Sequence, residues 1–315
     1  MKNFLSVNDV ENISQLVNEA IELKRSPLKF QSLGKNKRLA IILFNPSLRT
    51  RLSTQIAAEN LGMNSIVINA LTDSWMIEFS DEAVMNQNKI EHIKDAARVL
   101  GKYFDIIAVR SFPSLTNRDE DYSELVLNQF KKYCGVPIIS LESATRHPLQ
   151  SFADLITIKE NQKTKNPKIV LAWASHIKAL PQAVSNSFCE WILKSNLDLS
   201  IAHPKGYELG EEFTQGAKIF HNQNEAIADA DFIYVKNWSS FNDYGKILST
   251  DSDWMLNEKK LLNAPNAKIM HCLPVRRNLE LSDEILDGTR SLVTLQAENR
   301  IYSAQIVLKN ILENV

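Results

Sequence analysis

Cysteine is scarce: Cys134, Cys189 and Cys272 are the only three in 315 residues. They are too few and too scattered for a disulfide framework or a cysteine-based zinc site. Glycine is scarce as well, and the nine present never form GxGxxG or GxxxxGK, so neither a dinucleotide fingerprint nor a P-loop is present. Nor does one sign of charge dominate. With 36 Lys and Arg against 37 Asp and Glu, the formal net charge is −1, and nothing electrostatic points to nucleic acid or a membrane surface as partner. No apolar run reaches the ~18 residues of a transmembrane helix. The opening MKNFLSVNDVENISQ turns polar and acidic before any signal-peptide core forms. A reduced, cytoplasmic protein is the expectation.

What is present is an alternation. Short apolar runs at Arg38–Phe44, Asn64–Ala70, Phe104–Ser111, Val136–Glu142, Lys168–Ser175, Asp198–Pro204, Ala217–Asn222, Asp231–Asn237, Ala267–Leu273 and Ser291–Gln296 read as strands. Runs such as IILF, IIAV, IVLAW and FIYV are apolar at nearly every position, as suits parallel strands covered on both faces. Helical periodicity lies between them, at Thr54–Leu61, Ile90–Leu100, Tyr122–Tyr133 and Leu180–Leu193. This predicts an α/β fold of two doubly wound parallel-sheet domains, four strands in the first and five in the second. The predicted division is 1–146 and 147–298. The Pro148–Glu160 helix bridges the two, and a C-terminal helix over about 299–315 packs back on the first.

In open parallel sheets ligands bind beyond the carboxyl ends of the strands, so polar residues there carry the information. After the first strand comes Asn45-Pro46-Ser47-Leu48-Arg49-Thr50-Arg51, leading into a helix. Hydroxyls, free N–H groups at a helix start and two arginines suit a phosphate dianion, although an ordinary N-cap with surface arginines has the same appearance. Arg110 ends the third strand after an apolar run. It needs an anion there, either a ligand or a buried partner such as Glu142 or Asp154. His147-Pro148-Leu149-Gln150 opens another helix, with His147 and Gln150 projecting from one side of its first turn. In the second half, strand ends lead to Trp173 and His176, to Lys236-Asn237-Trp238, and to His271-Cys272-Leu273-Pro274-Val275-Arg276-Arg277. No acyl-enzyme motif accompanies Cys272, and the histidines lack HxxxH spacing. Neither covalent catalysis nor a metal is expected.

Taken in order, these segments resemble the aspartate/ornithine carbamoyltransferase family. Ser47-Leu48-Arg49-Thr50-Arg51 is similar to its SxRTR loop, His147-Pro148-Leu149-Gln150 to HPxQ, His271-Cys272-Leu273-Pro274 to the HCLP of the ornithine branch, and Gln296-Ala297-Glu298-Asn299-Arg300 to QxENR. The resemblance covers residues ~40 to 300, and four motifs in the right order and spacing make chance a poor explanation. It implies a carbamoyl-phosphate-binding first domain and an amino-acid-binding second domain. Enzymes acting on free ornithine carry Asp-x-x-x-Ser-Met-Gly where this chain has Val235-Lys236-Asn237-Trp238-Ser239-Ser240. A lysine there repels an α-ammonium and attracts a carboxylate, so the substrate's α-amine is expected to be capped. That pattern resembles the N-acylornithine branch, which works in arginine synthesis. The segment around His176–Asn186 resembles the loop through which the chain threads in that branch, implying a knotted second domain.

The resemblance implies roles for individual residues. Ser47, Leu48, Arg49, Thr50, Trp75, Arg110, His147, Gln150, Cys272, Leu273 and Arg300 bind carbamoyl phosphate, with Arg110, His147, Gln150 and Cys272 nearest the chemistry. Trp75 is expected to cross into a neighbour's site, making the active unit a homotrimer with shared sites. Glu142, His176, Lys236, Arg276 and Ile90 contact the acylated amino acid. The acetyl-preferring type has a glutamate where Ile90 aligns. The absence of that charge favours a succinyl group, although a one-residue shift to Glu91 reverses the choice. The expected reaction joins carbamoyl phosphate to N-succinylornithine, with N-acetylornithine as the alternative and no cofactor or metal. Two rivals are a non-catalytic binding protein on the same fold, and a phosphosugar or nucleotide enzyme, which the missing glycine motifs disfavour.

Overall fold

A computed structural model describes residues Met1–Asn314. In chain order its sheet strands are β1 (Arg38–Leu43), β2 (Asn64–Asn69), β3 (Ile106–Arg110), β4 (Ile138–Glu142), β5 (Ile169–Trp173), β6 (Leu199–Ala202), β7 (Lys218–Phe220), β8 (Phe232–Lys236) and β9 (Lys268–Met270). The longer helices are α1 (Ile13–Arg25), α2 (Leu48–Asn60), α3 (Ile93–Tyr103), α4 (Leu125–Tyr133), α5 (Pro148–Asn161), α6 (Ala183–Lys194) and α7 (Val293–Leu312). Two compact units result, one of residues 1–114, 119–149 and 300–315, the other of 115–118 and 150–299.

In the first unit the strands run parallel in the order β2-β1-β3-β4. β1, β3 and β4 are buried almost throughout, as their unbroken apolar runs require, whereas β2 at the edge alternates in exposure. Helices α3 and α4 cover one face, where Ile93, Ala97, Leu127 and Phe130 join Ile107 and Val109 in one core. Gly101 makes that approach possible, because a Cβ there would lie 1.8 Å from the Cys134 carbonyl oxygen. Residues Ile77–Glu78 and Glu91–His92 form a two-stranded parallel ribbon that the alternation did not predict, each strand being too short for a periodic signal.

In the second unit the order is β9-β8-β5-β6-β7, again all parallel. Trp173, Trp191, Phe188 and Tyr234 are fully buried around it. One predicted strand is wrong. The run Ser291–Gln296 touches β9 only through an isolated bridge from Ser291 to Ile269, and from Val293 it is the first turn of α7. The apolar SLVTLQ suits a strand by composition, yet from Val293 onward it opens a twenty-residue helix. The predicted C-terminal helix reached residue 315, which lies outside the described residues. No helix among the described residues is long and apolar enough to cross a membrane.

Candidate functional site

The first unit gathers its polar groups at the carboxyl ends of β1, β3 and β4. Ser47 caps α2 and accepts the Thr50 N–H at 3.3 Å, so Arg49 is the second residue of the helix. The Leu48 side chain is exposed, and its backbone N–H is one of the open donors of the first helical turn. Thr50 is buried. Its Oγ1 accepts from Ser47 Oγ at 3.0 Å and from Arg300 Nη2 at 2.6 Å, which leaves the Thr50 hydroxyl proton to be donated elsewhere.

Arg110 and Arg49 differ sharply. A register shift between Val109 and Arg110 sets Arg110 opposite Glu142. Arg110 Nε and Nη2 donate to Glu142 Oε2 at 3.3 and 3.0 Å, and Nη1 donates to the carbonyls of Asn45 and Pro46 at 2.7 and 3.0 Å. The Phe112 ring lies 4.0 Å from the guanidinium carbon. Four of five N–H groups are therefore committed, and one remains for a ligand. Arg49 makes no hydrogen bond or ion pair among the described residues, and its buried Nε is unpartnered. Of the two, Arg49 is the one whose guanidinium has no protein acceptor among the described residues.

His147 Nε2 stands 3.5 Å from Glu142 Oε2. Burial, then the charges of Arg300 and Arg110, push the His147 pKa well below its ordinary value, so the ring is neutral at pH 7. Trp75 and Ile90 belong to the segment around the ribbon. The Trp75 ring is half exposed and its Nε1 donates to Glu91 Oε2 at 2.8 Å, while the Ile90 N–H donates to the Met76 carbonyl and its side chain is exposed.

In the second unit a buried hydrogen-bond chain runs from α5 to α7 and β9. Gln150 Nε2 and Gln296 Nε2 both donate to Asp154 Oδ1, at 2.8 and 2.6 Å. Gln296 Oε1 in turn accepts the His271 N–H at 2.9 Å. The buried Gln150 Oε1 has no partner. Tyr234 is held protonated far above its ordinary range by burial, with Asp154 and Cys272 adding to the effect. The Leu273 N–H donates to His271 Nδ1 at 2.9 Å, so His271 carries its proton on Nε2, which faces Glu280 Oε1 at 3.3 Å.

Lys236, at the end of β8, is 8 % exposed and makes no hydrogen bond or ion pair among the described residues. Close by, Arg276 Nε donates to His176 Nε2 at 3.0 Å, while His176 Nδ1 faces both the N–H and the carbonyl of Lys178 at 3.0 Å. Burial chiefly lowers the His176 pKa, with Lys236 and Arg276 contributing. Burial works against the Glu280 carboxylate, but the His271 hydrogen bond, the Lys236 charge and the Arg276 N–H hold it down at about 2. Asp154 and Glu280 were not singled out from the sequence as organisers of a site. Each carried a faint signal: Asp154 is four residues after Gln150 on one helix, and Glu280 is four after Arg276.

Family models match this chain twice. Residues 2–160 match the carbamoyl-phosphate-binding domain of aspartate/ornithine carbamoyltransferase, and residues 175–311 match its aspartate/ornithine-binding domain. The chain belongs to the aspartate/ornithine carbamoyltransferase family. It is 47% identical over 317 residues, covering all of both chains, to the N-succinylornithine carbamoyltransferase of Bacteroides fragilis. It is 32% identical to the N-acetylornithine carbamoyltransferase of Xanthomonas campestris, covering 98% of this chain and 97% of that one. Acetylornithine transcarbamylase complexed with acetylcitrulline superposes with a TM-score of 0.93 at 31% identity, covering 99% of each chain. A mutant of N-acetyl-L-ornithine transcarbamylase, with one glutamate changed to alanine and with carbamyl phosphate and N-succinyl-L-norvaline bound, gives the same score at 32% identity, covering 99% of this chain and all of that one.

Proposed function

We propose that this carbamoyltransferase moves the carbamoyl group of carbamoyl phosphate to the side-chain amine of N-succinyl-L-ornithine, giving N-succinyl-L-citrulline and phosphate in arginine synthesis. The observation that carries the choice of acceptor is Lys236, a buried ammonium that makes no direct hydrogen bond or ion pair among the described residues and feels the Glu280 carboxylate only at longer range. Burying such a charge is costly unless a bound anion completes it, and an acylated amino acid offers a carboxylate without the repelling α-ammonium. Arg276 and His176 extend the same basic surface. The uncharged Ile90 supports the succinyl group, and so does the succinyl analogue bound by the relative in which a glutamate was removed. The 47% full-length identity points the same way.

In this reading the phosphate dianion takes the free N–H groups of the α2 first turn, the whole Arg49 guanidinium and the last N–H of Arg110. Charge developing on the carbonyl oxygen is met by the Thr50 hydroxyl, Arg300 and the neutral His147. The carbamoyl NH₂ donates to Gln150 Oε1 and to the carbonyls of Cys272 and Leu273. The neutral δ-amine of the acceptor attacks the carbonyl carbon, the C–O bond to phosphate breaks with its electron pair going to phosphate, and one amine proton leaves with the phosphate. The domain roles follow the same division: residues 1–146 with the C-terminal helix bind carbamoyl phosphate, and 147–298 bind the acylornithine.

The active assembly in this proposal is a homotrimer with Trp75 serving a neighbour. Its support is the set of exposed apolar side chains Leu71, Trp75, Met76, Val84 and Ile90 on one segment, side chains of the kind that a subunit contact would cover. A threaded second domain is supported by the Ser239 N–H bound to the Leu180 carbonyl at 3.0 Å and by Gln182 Nε2 bound to the Ser239 carbonyl at 2.9 Å. Three free, buried thiols fit a reducing cytoplasm. The test of the function is citrulline formation from carbamoyl phosphate with N-succinylornithine, N-acetylornithine, ornithine and aspartate in parallel. The succinyl compound is expected to give the highest kcat/KM, and a higher value with any other acceptor overturns the choice.

A further inference from the structure

The carboxyl ends of β6 and β7 carry a cluster that carbamoyl transfer does not use. β6 and β7 pair in parallel with Ala202 opposite Phe220, so the residues that follow, His203 and His221, come side by side although eighteen positions separate them. Their rings meet edge to face at 5.2 Å between centroids. The loop after His203 returns Glu208 to the same place. One ligand atom from each of His203, Glu208 and His221 lies within 4.8 Å of the other two.

The remaining hydrogen bonds prepare these groups as donors. His203 Nδ1 lies 2.8 Å from the Pro204 carbonyl and His221 Nδ1 lies 3.1 Å from the His203 carbonyl. A carbonyl can only accept, so each Nδ1 carries the proton and each Nε2 keeps its lone pair. A backbone acceptor on the second ring nitrogen is the arrangement that orients metal-bound imidazoles and raises their basicity. Glu208 Oε1 accepts the Gly206 N–H at 3.2 Å, which steadies the carboxylate and leaves Oε2 open. The His203 side chain is anchored in the fold at 1 % exposure, with the Trp238 ring 6.3 Å away, while His221 is exposed and gives access from solvent.

We infer that His203, Glu208 and His221 form a binding site for one divalent transition-metal ion of the zinc type, with water in the fourth position. Two imidazoles and one carboxylate are an N₂O set suited to Zn²⁺ and poorly suited to Mg²⁺ or Ca²⁺, which favour oxygen ligands. Tetrahedral donors 2.0–2.1 Å from zinc stand about 3.3 Å apart, so the exposed Glu208 and His221 close in on the fixed His203 by roughly an ångström. The ion joins the edge strand β7 to the loop after β6. Its role is to hold that edge of the second sheet, and the site stands whether or not the carbamoyl acceptor is succinylornithine.

The experiment uses the whole chain, stripped with a chelator that is then removed, and titrated calorimetrically with ZnCl₂. The expected result is one Zn²⁺ per chain and a rise in Tm on binding. Co²⁺ in place of Zn²⁺ should give the intense visible absorption of a tetrahedral centre. His221→Ala and Glu208→Gln, both outside the carbamoyl machinery, should each weaken Zn²⁺ at least tenfold and abolish the Tm rise, with metal-free Tm and carbamoyl transfer unchanged. No saturable Zn²⁺ binding to the wild-type chain overturns the site, and so does wild-type affinity in both variants.

Discussion

Gln150 gives its Nε2 to Asp154 Oδ1 at 2.8 Å, and that bond decides which end of its amide is left open. An amide can face a site with either its oxygen or its nitrogen. Because Asp154 only accepts when ionised, the nitrogen is bound inward and the unpartnered Oε1 is the end presented. Gln296 shares the same carboxylate oxygen and passes its own Oε1 to the His271 N–H, so one buried acid sets two amides. Removing that acceptor should reach the carbamoyl group through Gln150. Asp154→Ala is expected to lower kcat about 100-fold, the scale of a misplaced reacting group. The KM for the acylornithine should stay within about twofold, and Asp154→Asn, which retains an acceptor, should recover part of the loss. Steady-state kinetics on the three proteins check this, and equal kcat in all of them refutes it.

The two phosphate arginines should separate in stability as well as activity. Arg49 holds no protein partner, so Arg49→Ala should leave Tm near wild type while turnover falls at least 100-fold, comparable to loss of one oxyanion donor. Arg110 neutralises buried Glu142 and holds the Asn45 and Pro46 carbonyls. Arg110→Ala should abolish turnover and also cost about 3–5 kcal/mol, the usual penalty for orphaning one member of a buried pair. Urea unfolding of both variants distinguishes them, and equal midpoints would contradict the difference in their bonding.

Activity should rise from pH 6 toward pH 9, because only the unprotonated amine of the acceptor has a lone pair to attack with. His147 should add no inflection in that range. Its folded pKa is depressed, so it is already neutral, and a histidine held neutral favours folding only above its unfolded value of about 6.5 and loses that contribution as pH falls below it. His147→Asn is therefore expected to lower kcat/KM at every pH while keeping the shape of the profile. A profile that flattens in the variant would make His147 the titrating group.

The acyl preference should follow the charge at one position. Ile90→Glu puts a carboxylate where the chain has none, against the free carboxylate of a succinyl group, and should shift the ratio of kcat/KM toward N-acetylornithine by about tenfold, or 1.4 kcal/mol. The Glu91 carboxylate is already occupied by the Trp75 indole at 2.8 Å. Glu91→Ile should therefore change the ratio far less than Ile90→Glu. The reverse order would place the discriminating position one residue on.

Shared sites make a prediction about mixtures. Trp75→Ala and Arg110→Ala, each inactive alone, should regain part of the wild-type rate when unfolded and refolded together, since hybrid assemblies contain some sites with both residues intact. Full activity in a wild-type preparation that sediments as a monomer refutes sharing.

Much of the fold was legible because burial on both faces leaves a plain mark. IILF, IIAV, IVLAW and FIYV are apolar throughout, and each is a central parallel strand. Elements shaped by their neighbours were not legible. The SLVTLQ run has the composition of a strand, but it is continuous with the helix that carries Gln296 and Arg300, and only packing chooses between the two periods. The ribbon of Ile77–Glu78 and Glu91–His92 is a long-range pairing with no local pattern to announce it.

The chemistry divides in the same way. Motif and spacing alone pointed to Ser47, Arg49, Thr50, Arg110, His147 and Gln150, because a helix start and a strand end are local features that residue types reveal. What each group is free to do was decided by tertiary contact. Glu142 and the Asn45 and Pro46 carbonyls take four of Arg110's donors while Arg49 keeps its own, Asp154 turns Gln150 outward, and strand pairing sets His203 beside His221. Hydrogen-bonding capacity is finite, and which donors are already spent depends on partners brought in from 4 to 250 residues away along the chain.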